Sequence, residues 1–485
     1  MLRTRPLILI LALQTLAFAQ NPNDRVIAEA AKPSPLAANL EQLTDQIGGR
    51  VPGTPAMDKA VEWGVAAFKA AGADNVHTEN FTISNFWSEG ATELTVVAPE
   101  KFRVRAISKA WAPALALHEH VRVVDVGTGS AQDFAKAGNI SDALLLVHSN
   151  EMRTWEDLIV EYSRARQVMD RAIKAHALAI AFQSTRPQDL LYRHTNVVEG
   201  EIDSFPSVLV AREDASRMAR LIASGQDLYV NLAIPNQLGS PVTAANVVAE
   251  LRGSEKPEEF VVLGAHLDSW DLGTGALDNG CNAALVVDTL RAIKDSGIRP
   301  RRSVRFILFS GEEQGMVGSY SYVREHRSEL NNADAVIVFD SGIGRVTGFS
   351  LGRKDLIAPA GAVLLPLQPL SGSTFTTDAG ADTDNYDFMM EGVPTLVANQ
   401  EEANYLINYH ASSDTFDKVD MSLLKQHVVE ATAATFAIAN APIRFGPRLN
   451  RAQVTETFRY THLDDTLKTS RLWQEWLNST RGRGE

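Results

Sequence analysis

Four short apolar runs dominate the C-terminal half of the chain: "EFVVLGAH", "SVRFILFS", "DAVIVFD" and "VPTLVAN". Each is short for a core helix and too uniformly apolar to leave one face in water. Helical segments separate them over about 281–295 and 314–327, and a closing helix follows near 421–440. Strands apolar on both faces belong inside a mostly parallel sheet, because crossover helices cover its two sides. The expected class is therefore α/β, a mostly parallel mixed sheet flanked by helices. In such sheets ligands gather where the carboxyl ends of the strands open.

The N-terminal half reads differently. A helix is expected over Pro35–Ile47, then the Gly/Pro-rich loop "GGRVPGTP". The amphipathic helix "AMDKAVEWGVAAFKAAG" follows and stops at Gly72. "VHTENFTI" and "ATELTVVAP" alternate as strands do. From about 105 to 240 short strands such as "VRVVDVG", "DALLLVHS" and "HALAIAFQS" alternate with helical patches. That block is expected to be a smaller inserted domain, with the main domain assembled from 25–104 and 241–445. A chain of 485 residues has room for both. The tail, 446–485, is expected to dock on the body through Trp473, Trp476 and Leu477, spaced like one helix face.

The first twenty residues carry Arg3 and Arg5, an apolar run of about ten residues, then Ala17-Phe18-Ala19, the pattern of a cleaved signal peptide. Export to periplasm or medium is the expectation, with no stable membrane insertion after cleavage, since no later segment has the length of a span. The net charge of −13 argues against nucleic acid, which needs a basic surface. Cys281 is the only cysteine, so no intrachain disulfide can form.

The chemistry lies at the strand ends. "VVLGAH" delivers His266, "ILFSGEE" delivers Glu312 and Glu313, and "VIVFD" delivers Asp340. Asp278 in "GALDNG" and His410 in "NYHASSDTFD" fit the same crevice. Adjacent carboxylates oppose each other's ionisation unless a cation offsets them. Two imidazoles among several carboxylates suit zinc, and a shared carboxylate holds two such ions at roughly 3.5–4 Å. Of the two glutamates, one is then free to take a proton.

"GAHLDSW", "ALDNG", "SGEEQGMVGS", "VFDSG" and "YHASSDTFD", in that order, resemble the motifs of the M28 zinc peptidases, and "GGRVPGTPAMDKAVEW" also looks like that family. The likeness spans nearly the whole chain after the signal; the middle block is similar in general character to a protease-associated insert. The resemblance implies two zinc ions per chain. Asp278 would bridge them, His266 and Asp340 would complete one, and Glu313 with His410 the other. Glu312 would be the general base and then acid, Asp268 would orient His266, and the Asp278–Asn279 peptide would be cis. It further implies an exported exopeptidase acting on short peptides, dipeptides above all, and a homodimer.

Each residue taken singly has a blander reading. His266 and His410 fit as structural or surface histidines, Glu312-Glu313 as a solvated helix start, Asp278 as a turn residue, Asp340 as a cap, and Asp268 as an acceptor for backbone amides. "HEH" at 118–120 offers two imidazoles and no third ligand, and "DTDNYD" at 382–387 reads as pocket wall. Tyr386, Tyr405 and Tyr409 are candidates for an oxyanion contact. Cys281 reads as a small buried residue. Rival functions are an aminopeptidase of the same family, a one-zinc amide-processing relative such as a glutaminyl cyclase, and a non-catalytic receptor or scaffold on the same fold.

Overall fold

The apolar runs form the centre of an eight-stranded sheet in a computed structural model that describes residues 21–468 and 470–484. The expected signal peptide lies outside the described residues. Across this sheet the strands lie in the order Asn75–Ile83, Val242–Leu251, Arg302–Phe309, Lys256–His266, Ala333–Val338, Thr395–Gln400, Val346–Ser350 and Thr374–Thr376. The four strands from Arg302–Phe309 to Thr395–Gln400 pair in parallel, and antiparallel pairings close on either side. Val261, Val262, Leu263 and Ile337 are wholly buried, as double-sided cover requires. The helices Cys281–Asp295 and Met421–Asn440 pack together over one face, with Pro22–Ala30 against both.

A second eight-stranded sheet gathers the middle of the chain. Its central strands Leu115–Asp125, Leu144–Val147, Ala179–Gln183 and Ser207–Val210 run parallel. It also takes in Glu93–Ala98 and Phe102–Arg103, upstream of the expected boundary at 105, because Glu93–Ala98 pairs with Tyr229–Ile234.

Two helices depart from their expected limits. The Pro35–Ile47 segment is α-helical over Leu36–Glu41 and widens to a π-turn over Gln42–Ile47. The helix expected from 314 begins at Val317, because the preceding turn is held otherwise: Gly311 has φ +75°, a value suited to glycine, and Met316 has φ +60°. In the tail, Trp476 is buried edge-on against Phe458, with Arg451 over its ring, whereas Leu477 is exposed.

His427, on the helix Met421–Asn440, is buried and held neutral. Its Nε2–H donates to the Gly344 carbonyl at 2.6 Å, while Nδ1 accepts from the Gln400 amide, itself fixed by the Gly342 carbonyl. A proton on Nδ1 would face that amide N–H. Burial lowers the pKa to about 4. The unfolded chain therefore binds more protons between pH 6.5 and 4, so stability is full above pH 6.5 and falls as pH drops through that window. The expected loss is about 3 kcal/mol. Urea unfolding of chelator-treated protein at pH 7 and pH 4.5 should show a smaller pH difference in His427→Gln than in the wild type; equal differences would refute the assignment.

Candidate metal centre

Three neighbouring parallel strands open at one edge and deliver the candidate residues there. Lys256–His266 ends in His266, Arg302–Phe309 leads into Glu312 and Glu313, and Ala333–Val338 into Asp340. Asp278 comes from the tight segment Ala276–Gly280 ahead of a helix, and its peptide bond to Asn279 is cis. His410 follows the short helix Tyr405–Asn408 with φ +58°.

These residues meet. His266 Nε2 lies 3.1 Å from Asp340 Oδ1 and 3.2 Å from Asp278 Oδ1. His410 Nε2 lies 2.9 Å from Glu313 Oε2 and 3.4 Å from Asp278 Oδ2. Asp278 thus stands between the two imidazoles, and each imidazole faces one further carboxylate. His266 Nδ1 is 3.0 Å from the carbonyl oxygen of Asp268, and His410 Nδ1 is 3.0 Å from that of Arg193. Nδ1 carries the proton in both rings, which turns the Nε2 lone pairs toward the carboxylates.

Lone pairs converging on lone pairs repel unless a proton or a metal ion lies between them. Asp278 Oδ2 and Glu313 Oε1 are buried with no hydrogen-bond donor. Ligand atoms of His266, Asp278 and Glu313 lie within 4.8 Å of one another. Burial drives the Glu312 and Glu313 carboxyls well above the ordinary glutamate range, and neighbouring acids, Asp340 for Glu312 and Asp278 for Glu313, push further. Burial alone would lower His266, but Asp340, Asp268 and Asp278 outweigh it and raise it. For His410 burial prevails, and its pKa falls to about 4. The donor set of imidazole nitrogens and carboxylate oxygens fits divalent metal.

Groups behind these donors hold them in place. The Asp268 carboxylate accepts the amides of Glu312 and Glu313 at 3.2 and 3.3 Å. Its own oxygen lies 3.7 Å from His266, beyond hydrogen-bond reach, so it is the Asp268 carbonyl that takes the ring N–H. Asp414 accepts the amides of Ala276, Leu277 and Asp278. Arg50, fully buried, donates to the carbonyls of Gly48, Leu267, Thr274 and Gly275 and ties the loops on both sides of the site together. Arg193 is equally buried and pairs with Glu89 and Asp271.

The model of "Peptidase family M28" matches residues 246–435, the stretch that supplies every candidate ligand. Residues 246–435 form an M28 peptidase domain. Carboxypeptidase Q of Bos taurus is 28% identical over 407 residues, covering 83% of this chain and 83% of its own. A peptidase M28 precursor from Shewanella amazonensis superposes with a TM-score of 0.79 at 24% identity, over 88% of this chain and 98% of that one. BSAP, a zinc aminopeptidase from Bacillus subtilis, superposes at 0.65 and 17% identity, over 86% and 97%. The chain thus carries a metallopeptidase domain of this family over residues 246–435.

The M28 domain does not close its crevice alone. A larger lobe of about 650 Å³ is walled by Trp155, Leu158 and Ile159 from the helix Trp155–Lys174 of the second sheet's segment, and by Leu463 and Thr466 of the tail. Tyr405 and Tyr409 line it too, whereas Tyr386 is buried in a separate core with Trp476. Within 382–387 only Asp382 lines the crevice. Asp384 is buried, and Asp387 pairs with Arg481 of the tail. Cys281 is buried with its thiol pKa pushed up by burial, a packing residue as read. His120 stacks on Tyr229, and no third ligand joins it and His118 among the described residues. Arg50, Arg193 and Asp414 went unread as site residues, although Arg50 and Asp414 lie inside quoted motifs.

Proposed function

We propose that this M28 metallopeptidase is an exported exopeptidase that hydrolyses short peptides, dipeptides above all, at a pair of zinc ions. The observation that carries the reading is Asp278, which lies between two imidazoles that each have a carboxylate of their own. His266, Asp278 and Asp340 would hold one ion, and His410, Asp278 and Glu313 the other. The naming of one relative as carboxypeptidase Q and of a structural neighbour as a zinc aminopeptidase supports this reading.

Zinc, when bound, supplies Lewis acidity toward a carbonyl oxygen and lowers the pKa of water. The chain's own residues do the rest. Glu312 lines both parts of the crevice and is positioned to take a proton from the attacking water and return it to the departing amine. Asp268 fixes the backbone on which Glu312 sits. The apolar wall of Trp155, Leu158 and Ile159 narrows the crevice and leaves room for a short peptide rather than a folded chain.

An aminopeptidase is the second reading, favoured by Asp382, a carboxylate in both lobes suited to a peptide ammonium. A panel of free, N-acetylated and C-amidated dipeptides, assayed with and without chelator alongside elemental analysis, tests both. Chelator-sensitive hydrolysis of dipeptides with two zinc ions per chain is expected. Hydrolysis that persists without metal, or no turnover of any dipeptide by metal-loaded protein, would sink the proposal.

A further inference from the structure

The crevice has two lobes that share Tyr162, Glu312, Ala381, Asp382, Tyr409 and His410. The larger, on the His266 and Asp340 side, is aromatic and aliphatic. The smaller, about 360 Å³, lies on the Glu313 side and is lined by Thr195, Asn196 and Arg166. Among the described residues Arg166 is the only lysine or arginine lining either lobe. It projects from the helix Trp155–Lys174, is exposed, and has no carboxylate within ion-pair distance among the described residues, although Asp170 lies one turn along. Arginines elsewhere around the site, Arg50, Arg186 and Arg193, are buried and committed to carbonyls or acids.

We propose that Arg166 captures the terminal carboxylate of the substrate, so that the C-terminal residue occupies the smaller lobe and the N-terminal side chain the apolar one. The assignment rests on the peptidase reading above and fixes which end of the peptide is anchored. A planar guanidinium with a free fork matches a carboxylate in two parallel hydrogen bonds. In a crevice lined by Glu312, Glu313, Asp340 and Asp382, an anion meets no other lysine or arginine among the described residues. Thr195 and Asn196 spend their donors on Val197 and Asp203, so the guanidinium of Arg166 is what the smaller lobe offers a carboxylate, and the larger lobe offers acids and apolar side chains. The substrate class that follows is a peptide with an unblocked C-terminus.

The test compares one dipeptide as free acid and as C-terminal amide, on wild-type holoenzyme and on Arg166→Met, which keeps the aliphatic stem. Wild type should favour the acid by about 10–100-fold in kcat/KM, mostly through KM, the usual worth of a charge-assisted hydrogen-bond pair. Arg166→Met should erase that preference by losing far more on the acid than on the amide. Its melting temperature should not move, since Arg166 has no partner to lose. Equilibrium binding of the same two probes to Glu312→Gln, with and without Arg166→Met, should show the same loss. Indifference of wild type to amidation, or an acid preference that survives Arg166→Met, overturns the anchor and leaves the peptidase reading standing. Acid-selective binding that Arg166→Met abolishes, in a protein that hydrolyses no peptide, keeps the anchor and rejects the reading.

Discussion

Glu312→Gln is expected to reduce kcat on a dipeptide by about 10²–10⁴-fold, the span usual for loss of a positioned general base. The metal content should stay that of the wild type. The two halves of this result separate Glu312 from its neighbour. Glu313 lies 2.9 Å from His410 Nε2 and belongs to the close group with His266 and Asp278. Glu312 stands outside that group yet lines both lobes. Glutamine keeps the shape and the backbone amide that Asp268 accepts, and removes only the basic oxygen. Elemental analysis and steady-state kinetics on one preparation check the prediction. Near-wild-type turnover would remove Glu312 from the proton-transfer role; loss of metal would make it a ligand.

Asp278→Asn should have the largest effect on metal. Among the described residues Asp278 alone faces both imidazoles, so under the proposed two-ion reading its charge would be shared by both positions, whereas Asp340 and Glu313 would each serve one. Bound zinc should fall from two ions per chain to less than one. Stability should follow, because a ligand that binds only the folded state stabilises it by RT ln(1 + [L]/Kd), about 4 kcal/mol at a thousandfold excess over Kd. Chelator should therefore lower wild-type stability by about 3–4 kcal/mol and that of Asp278→Asn by under about 1 kcal/mol. Urea titrations with and without chelator read this directly. An Asp278→Asn protein that keeps two ions and responds to chelator as wild type does would show that the two positions share no carboxylate.

Local pattern carries some of this architecture and long-range contact carries the rest. The strands around Val261, Ile307 and Ile337 were legible because they are apolar on both faces, and the acids and His266 that follow them because strand ends in such sheets face a crevice. The start of the helix at Val317 was not, since the turn before it is set by Asp268, more than forty positions away. Asp268 itself shows how two readings of one residue coexist: its carbonyl holds the imidazole and its carboxylate the amides. Arg50 was hidden for the same reason. Three of its acceptors, Leu267, Thr274 and Gly275, lie over 200 positions downstream, and no periodicity links them. Arg166 reads as one more charged position on an amphipathic helix until the packing turns that face toward the crevice.

The imidazole of His410 is aimed by a peptide oxygen at position 193, in a segment outside the family-matched stretch. A backbone atom cannot be deleted by substitution; only its path through space can be altered. Side-chain substitutions in that segment are therefore expected to spare the site as long as the main-chain trace near 193 survives. That trace is guarded by the clasp of the Arg193 guanidinium on Glu89 and Asp271. In mechanical terms the stretch around 193 is one jaw of a vice on the candidate metal centre.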